Sequence, residues 1–378
     1  MSNEPVVGTQ SKKPPKPIEP GMALCLSGGG FRAMVFHIGA IWRLYEAGIL
    51  RDVKRISSVS GGSVTAGVLG FKWNKLSFDP ARIGDDFIPE VVAPLRALAG
   101  TTVDFPTVVG GLLLPGRISD RLAAAYDDAL FHGATLQDLP DAPRFVINAT
   151  SVQSGALWRF MKPYMRDWRV GEVKSPQVRL ADAVAASSAF PPVLSPFQLT
   201  LDPASFTPNS GEGLQRPPFT SKAVLSDGGV YDNLGLETAW KLFDTILVSD
   251  AGGKLAPDEK PKINWLQHIL RVVDVIDDQV RSLRTRQVVD SYVAKARKGT
   301  YWGITSDIGH YQLADTLDCP IERTRLLAGT PTRLAKMAPL LQERLINWGY
   351  AICDTALRRW VDTNLPRPAD FPYPSARV

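Results

Sequence analysis

The residue of this chain best suited to nucleophilic chemistry is Ser60, which ends a β-like run that begins at Ile56. Small residues with helical character follow it directly. This is the layout of a nucleophile elbow, in which a strained strand-to-helix turn exposes a serine hydroxyl. Glycine normally lies two residues to either side of that serine. Gly62 fits, whereas Ser58 replaces the other glycine with a small hydroxyl. The pattern indicates either a catalytic serine or an ordinary turn rich in glycine and serine.

Three consecutive glycines form a candidate anion-binding loop. Gly28, Gly29 and Gly30, here called the glycine loop, follow the apolar run 22–26 and open a helical pattern that reaches Ala47. Without Cβ atoms in the way, their N–H groups can approach an anion, and the helix N-terminus behind them adds a favourable dipole. These amides are therefore candidates to hold the oxyanion that forms when a nucleophile attacks an ester carbonyl.

Two charged residues accompany these motifs. Asp227 follows the apolar run 223–225 and precedes two glycines, so we expect it at the end of a strand. A serine hydroxyl needs an adjacent base, and Asp227 is the candidate to accept the Ser60 proton and later to activate water. Arg32, in the first turn of the helix after the glycine loop, has two interpretations. It orients the substrate with its positive charge, or it makes a structural salt bridge.

Taken together, the glycine loop, the serine elbow and the Asp-Gly-Gly motif at Asp227 resemble the patatin-like phospholipase family, whose members use a Ser–Asp dyad. The motifs also occur in the family's order. The small-residue segment 185–192 is similar to the segment that precedes the aspartate in that family, and the similarity runs from about residue 22 to about residue 252. Two positions depart from the family pattern: Ser58 in the elbow, and Ala33 where a glycine usually closes the anion loop. Neither position supplies a reacting group.

The resemblance implies a serine acyl hydrolase that releases fatty acids from phospholipids or related lipid esters through an acyl-enzyme. It assigns Ser60 as the nucleophile, Asp227 as the base and the amides of Gly28, Gly29 and Gly30 as the oxyanion hole. It implies no metal and no cofactor, and a lipid or membrane surface as the partner. The residues by themselves argue only for ester hydrolysis.

Three alternatives stay open at this point. A Ser-His-Asp esterase of the α/β-hydrolase type would place its histidine after the acid, which leaves His268 and His310, neither of them in a predicted loop at a strand end. A dinucleotide-binding protein is the second, because residues 28–33 also fit G-x-G-x-x-A after a strand. That fingerprint requires an acid at the end of the next strand, where this chain has Ser60. A non-catalytic nucleotide- or lipid-binding module on the same fold is the third.

The elements that must position these residues alternate between short apolar runs and longer helical patterns. This alternation predicts an α/β fold with helices on both faces of a sheet. With the family resemblance, we expect a three-layer α/β/α sandwich with a mostly parallel central sheet, a helical insertion and a helical C-terminal part. Both glycine-rich turns then lie at the same edge of the sheet, where ligands bind in open α/β folds. The predicted strands are 22–26, 55–59, 144–149, 157–161, 197–201, 223–225 and 245–249.

Around this core, 21–253, we expect three further kinds of segment. Residues 1–20, rich in proline and lysine, predict a disordered tail, and 202–221 predict a surface loop. The apolar insertion 81–116 is either a lid over the site or a layer packed on the sheet. Residues 254–378 predict a helical extension on the core, in which the apolar positions between Ile269 and Leu283 pack inward and the charges are solvated. The alternative is that this helix presents a face that binds a membrane or a partner. A last helix is predicted over 332–360.

Composition limits the classes of function. The chain has 378 residues, 44% of them hydrophobic, and a net charge of +5 without the clustered basic face of a nucleic-acid-binding protein. Three scattered cysteines predict neither a disulfide framework nor a zinc site. No secretory signal and no apolar stretch long enough to span a bilayer is apparent. We therefore expect a cytoplasmic protein, peripheral at membranes, of undetermined oligomeric state.

Overall fold

The computed structural model describes residues 17–103 and 117–378, and within them ten strands form one sheet. All seven predicted strands are present. The three that were not predicted, β5, β6 and β10, are short or begin with charged residues and glycine, so they lack the apolar alternation of a half-buried strand. The strands are β1 (Glu19–Leu26), β2 (Val53–Ser58), β3 (Arg144–Ser151), β4 (Ala156–Phe160), β5 (Tyr164–Asp167), β6 (Gly171–Lys174), β7 (Phe197–Thr200), β8 (Lys222–Asp227), β9 (Phe243–Asp250) and β10 (Lys298–Gly303).

The sheet is parallel in one half and antiparallel in the other. Strands β10, β9, β1, β2 and β3 lie side by side in that order, and every pair among them is parallel. Strands β4, β5 and β6 continue from β3 as antiparallel neighbours, and β8 also pairs antiparallel with β3 and carries β7. The expected α/β fold is confirmed, with the parallel arrangement confined to the half that carries the glycine loop and the elbow.

Helices cover both faces of the sheet. Along β1, Leu24 and Leu26 contribute to a large hydrophobic cluster, whereas Ala23 and Cys25 contribute to a smaller one on the opposite face. This alternation gives the three layers expected. The helices are α1 (Gly30–Glu46), α2 (Gly61–Lys72), α3 (Ala93–Ala99), α4 (Arg117–Tyr126), α5 (Leu180–Ser187), α6 (Gly229–Asp232), α7 (Glu237–Trp240), α8 (Trp265–Val293), α9 (Ile321–Ala328) and α10 (Pro339–Trp360). Among the described residues, no helix is long and apolar enough to cross a membrane.

The C-terminal part does not only pack on the core; it contributes a strand to the sheet and a helix to the hydrophobic core. β10 joins the sheet beside β9, and α10 packs along α1 with Ile346, Trp348 and Ile352 in the large cluster. The two helix backbones touch, because a Cβ on Gly39 would lie 1.9 Å from the carbonyl oxygen of Ile346 and one on Gly349 would lie 2.0 Å from that of Phe36. The core is therefore built from both ends of the chain.

The insertion 81–116 belongs to the core over the part that the structure describes. Phe87, Val91 and Leu95 are fully buried in the large cluster, in a π-helical turn (Ile88–Val92) and in α3. The described residues do not include 104–116 of the predicted lid or 1–16 of the predicted tail. β1 begins at Glu19, before that predicted tail ends. Residues 202–221 hold only a short 3-10 turn (Pro203–Ser205).

The prediction for the helix after residue 254 is wrong in its orientation. Along the first part of α8, the apolar side chains are exposed and several charged ones face the protein. Ile269, Ile276 and Leu283 are each at least half exposed. Periodicity identifies an apolar face but not the direction in which it points, and here charge pairs with the core fix the rotation of the helix.

Candidate active site

The turn at Ser60 has the strained backbone that a nucleophile elbow requires. β2 ends at Ser58 and α2 begins at Gly61, so Ser60 lies between them, with φ 51° and ψ −127°. For a residue with a side chain, such backbone costs of order 1–3 kcal/mol, and it persists only where the surrounding structure imposes it. Ser60 is partly exposed, whereas Val59 and Gly61 are buried. The turn therefore presents the serine at the carboxyl end of β2.

The elbow and the glycine loop are in direct contact. A Cβ on Gly61 would lie 2.1 Å from the carbonyl oxygen of Gly30, and one on Gly28 would lie 3.0 Å from the Cβ of Ser60. Glycine is required at these positions because backbone passes against backbone. The parallel pairing of β1 with β2 thus brings the two predicted motifs together, as the sequence indicated.

Ser187, at the end of α5, links the nucleophile to the neighbouring loops. The Ser60 N–H donates to the Ser187 hydroxyl at 3.0 Å and to its carbonyl oxygen at 3.1 Å. The Ser187 hydroxyl donates to the Asn148 carbonyl at 2.6 Å, and the Gly228 N–H donates to the Ser187 carbonyl at 3.2 Å. The same hydroxyl lies 2.8 Å from Ser63 Oγ. Sequence analysis placed Ser187 in a small-residue segment and gave no local signal for this role.

The departure at Ser58 is accommodated by hydrogen bonding. Its side chain is fully buried, accepts a hydrogen bond from Ser63 Oγ at 3.0 Å and donates to the Val146 carbonyl at 3.4 Å. A buried hydroxyl costs little once it is hydrogen-bonded. The elbow therefore keeps its geometry with serine in place of glycine.

Asp227 lies at the end of β8, as predicted, and is almost completely buried. Its Oδ1 accepts a hydrogen bond from the Gly229 N–H at 2.7 Å. Its Oδ2 is buried and has no hydrogen-bond partner among the described residues. A buried oxygen without a partner is destabilising, and such atoms concentrate where function requires them.

The buried position of Asp227 changes its acidity. Burial raises the pKa of its carboxyl to about 7, against the smaller lowering effects of the Ser60 hydroxyl and the Gly229 N–H. The Ser60 hydroxyl is close enough to stabilise the carboxylate, although it makes no hydrogen bond of standard geometry with Oδ2. Near neutral pH this carboxyl is divided between two protonation states, which suits a group that takes up and returns a proton.

The amides of the glycine loop differ in their availability. The Gly28 N–H donates to the Asn233 carbonyl at 3.3 Å, so it is already engaged in a long hydrogen bond. The N–H groups of Gly29 and Gly30 donate to no acceptor in the described part of the chain, and neither does that of Gly61. Gly61 was not predicted as a donor. The signal was present, because the first N–H groups of a helix have no intrahelical partner.

Arg32 does not make the structural salt bridge that the sequence suggested as one alternative, and its role toward a substrate stays a prediction. It is buried and forms no ion pair among the described residues. Its guanidinium donates to the carbonyl oxygens of Ala251 at 3.2 Å and Thr330 at 2.5 Å. Burial, together with the charge of Arg281, lowers its pKa to about 10, so it stays charged. Arg32 therefore ties the start of α1 to the segments after β9 and α9, and it lines the cleft as well.

A cleft of about 880 Å³ contains the predicted site residues. Ser60, Asp227 and the glycine loop line one side of it. The opposite side comes from chain beyond β9, which sequence analysis did not assign to the site. It is formed by residues 253–256 and 328–334 and by Asp274, Asp277, Asp278 and Arg281 of α8. In the described part of the chain, no cluster of three or more His, Cys, Asp or Glu residues could hold a metal ion.

All four histidines lie among the described residues, and none of them lines the cleft. His37 is fully buried behind the glycine loop, 3.0 Å from the Ser27 carbonyl and 2.9 Å from Ser249 Oγ, and burial lowers its pKa to about 4. His132, His268 and His310 are exposed. The arrangement offers no histidine to relay a proton between Ser60 and Asp227.

Comparison with known proteins gives one match by family and several by structure. A family model of patatin-like phospholipases matches residues 24–240. VipD from Legionella pneumophila aligns over 90% of this chain and 66% of its own, with 16% identity and a TM-score of 0.34. Human GIVD cytosolic phospholipase A2 in complex with methyl gamma-linolenyl fluorophosphonate aligns over 89% and 57%, with 14% identity and a TM-score of 0.49. The chain thus spans less than two thirds of the length of either protein. No curated protein sequence matches it significantly.

Proposed function

The chain belongs to the patatin-like phospholipase family, and from this premise we propose that it hydrolyses fatty acyl esters of phospholipids or related lipids through a Ser60–Asp227 dyad. One observation carries the proposal. A serine at a strained, partly exposed elbow lies beside a buried carboxyl that has one unpartnered oxygen and a pKa raised to about 7.

In the first half of the reaction, Asp227 acts as the general base. Its Oδ2 accepts the hydroxyl proton of Ser60 while Oγ bonds to the carbonyl carbon of the ester. When the tetrahedral intermediate collapses, the bond to the alcohol oxygen breaks. The alcohol leaves with the proton that Asp227 returns, and the acyl group stays on Ser60 Oγ.

In the second half, the same carboxylate activates water. Asp227 accepts a proton from a water molecule, whose oxygen attacks the acyl carbon. Collapse of the second intermediate releases the fatty acid, and the proton returns to Ser60 Oγ. One buried base thus serves both halves, and no other titrating group is needed.

Three unpaired amides support stabilisation of the oxyanion. The N–H groups of Gly29 and Gly30 lie on one side of Ser60, and that of Gly61 follows it directly. Donors fixed in advance of the reaction typically contribute about 3–4 kcal/mol each to the transition state. We assign the oxyanion hole to these three, with Gly28 supporting the loop through its bond to Asn233.

The lining of the cleft supports a lipid substrate. The lining combines apolar side chains with charged residues of α8: the apolar ones are Phe190, Val193, Leu194, Leu255 and Leu334. Pockets of this size with apolar walls and a few placed polar groups are typical of small-molecule sites. The apolar part suits an acyl chain and the charged part suits a headgroup.

The test is covalent labelling combined with hydrolysis of two substrates. The protein is incubated with defined phospholipids and with a soluble short-chain aryl ester, each with and without a serine-directed fluorophosphonate, and the adduct is located. Ser60→Ala should keep the fold, lose the label and lose several orders of magnitude in kcat, because nucleophile and base act as a unit.

Ser188→Ala is the matched control, since Ser188 also lines the cleft and its hydroxyl has no hydrogen-bond partner among the described residues. This variant should still be labelled at Ser60. An adduct on Ser188, or on any serine other than Ser60, would contradict the assignment.

A further inference from the structure

The first part of α8 is turned so that its apolar side chains face solvent. Trp265 is 74% exposed and Ile276 is 57% exposed, with Ile263 almost fully exposed just before the helix. We call this surface the α8 outer face. It comprises the exposed apolar side chains of Ile263, Trp265, Ile269, Val272, Val273, Val275, Ile276 and Leu283.

Charge pairs on the other side of the helix hold it in this orientation. Arg281 donates to the Gly253 carbonyl at 2.6 Å and pairs with Asp277 at 3.3 Å. Arg284 pairs with Glu237 at 3.3 Å. Rotation of α8 to bury its apolar side chains would separate Arg281 from the Gly253 carbonyl and Arg284 from Glu237. The Arg281–Asp277 pair lies within the helix and would be kept. The exposure therefore follows from the fold.

The exposed surface is long and broad. Its central residues recur at intervals of four and three, from Trp265 through Ile269, Val272 and Ile276, and Leu283 continues the same line, so the stripe is about 27 Å long. Val273 and Val275 widen it to both sides. Further along, Val288 is buried and the Tyr292 hydroxyl donates to the Ile246 carbonyl at 2.7 Å, so the end of α8 contacts the sheet, although Val289 and Val293 stay exposed.

The residues beside the stripe indicate what covers it. A second helix in a coiled coil is normally selected by charged residues that flank the apolar seam. Here the flanking positions Val273, Val275, Val280 and Ser282 have uncharged side chains. A broad apolar face with a tryptophan near its end, opposite a face that carries Asp274, Asp278 and Arg281, matches a helix that lies in a lipid–water interface.

We propose that the α8 outer face docks the protein on the surface of a lipid bilayer. The proposal rests on the proposed function, because the opposite face of the same helix lines the cleft through Asp274, Asp278 and Arg281. Docking through α8 brings the cleft to the bilayer surface, so an acyl ester passes from lipid to Ser60 over a short distance. The headgroup charge contributes little, since the face itself is uncharged.

The experiment compares vesicle binding and two kinds of hydrolysis in a double variant, Ile269→Ser with Ile276→Ser. Both side chains are exposed, and neither lines the cleft. The fraction that floats with phosphatidylcholine vesicles should fall about tenfold or more, because the apolar carbons that enter the lipid are removed. Hydrolysis of phospholipid in the vesicles should fall in parallel, with the soluble aryl ester hydrolysed as by the wild type.

A matched control carries Val152→Ser with Leu326→Ser, two exposed apolar residues outside α8 and outside the cleft. It should float and hydrolyse like the wild type. Ser60→Ala should also float like the wild type. Vesicle binding can therefore be measured even if the protein does not hydrolyse the proposed substrates. Equal flotation of the α8 double variant and the wild type would overturn the proposal. A dimer in solution that the α8 substitutions dissociate would overturn it too, because a second copy would then cover the face.

Discussion

At the scale of single residues, the environment of Asp227 has the largest consequences. The carboxyl is buried at a strand end, keeps one oxygen without a hydrogen-bond partner in the described part of the chain and has a pKa raised to about 7. These features follow from where β8 ends and from the two glycines behind it. They suit the residue to act as a base, and they lower the stability of the folded protein when the carboxyl is ionised.

The first prediction concerns the pH dependence of activity. Only ionised Asp227 can accept the Ser60 proton, so kcat/KM on a soluble ester should rise about tenfold per pH unit below pH 7 and level off above it. The midpoint should lie near the raised pKa of about 7. A pH–rate profile measured on a substrate without a titrating group checks this. A midpoint near pH 4, the ordinary range for aspartate, would contradict the raised pKa of Asp227.

The second prediction concerns stability. Because the pKa of Asp227 rises from 3.8 unfolded to about 7 folded, its proton stabilises the fold fully below pH about 4, and this stabilisation is lost as the pH rises through about 7. Asp227→Asn removes the ionisation. It should therefore raise the free energy of unfolding at pH 8 by up to about 4 kcal/mol, with little effect near pH 4.

Urea unfolding of this variant at several pH values measures the effect, and Ser60→Ala serves as the control that keeps the carboxyl. Asp227→Asn should also be nearly as inactive as Ser60→Ala. If the stability of Asp227→Asn and of the wild type depended on pH in the same way, burial would not raise the pKa of the Asp227 carboxyl.

At the scale of elements, the site depends on the contact between the glycine loop and the elbow. The first residues of α1 and α2 are in contact. A Cβ on Gly61 would lie only 2.1 Å from the Gly30 carbonyl oxygen. This contact sets the distance between the unpaired amides and the Ser60 hydroxyl. Arg32 and Ser187 hold the two sides in place.

The third prediction is that Gly61→Ala separates these elements. The new methyl group overlaps a backbone oxygen, so the loop and the elbow must move apart. A misplacement of about 1 Å can lower kcat about 100-fold, while KM changes little because ground-state binding does not use the oxyanion donors. Steady-state kinetics on the soluble ester measures this. An unchanged kcat would mean that the Gly61 region plays no part in catalysis.

At the scale of the whole molecule, the chain beyond the family match completes both the core and the cleft. The match ends at residue 240, yet β10 extends the sheet, α10 packs on α1, and α8 with 328–334 forms the second wall of the cleft. Since α1 starts at the glycine loop, the packing of α10 on α1 also supports the site.

The fourth prediction tests this coupling through Gly349→Ala. A methyl group there would lie 2.0 Å from the Phe36 carbonyl oxygen and would push α10 away from α1. Overpacking of this kind costs about 1–3 kcal/mol, so Tm and kcat should both fall. Gly84→Ala is the control, because its Cβ would meet nothing within 4 Å. Equal Tm values for the two variants would show that α10 can shift without cost.

The sequence by itself determined the features that depend on neighbouring residues. A strand followed by glycines and a helix is a local signal, so the glycine loop, the elbow at Ser60 and the strand end at Asp227 could be located. Parallel strand order implied that the loop and the elbow meet, whereas Asp227 reaches them on the antiparallel strand β8. The same holds for the seven apolar strands and for the existence of α8. In each case the backbone conformation or the periodicity is set within a few residues.

Only the tertiary structure decided the features that depend on distant partners. The pKa of Asp227 depends on burial by several elements, and the role of Ser187 depends on loops from β2, β3 and β8. The strand β10 has no apolar alternation and forms because β9 offers a parallel edge. The apolar face of α8 points outward because Arg281 and Arg284 find their partners on the core side. Charge pairs and sheet edges act between residues far apart in sequence, so no local pattern could show which way that helix turns.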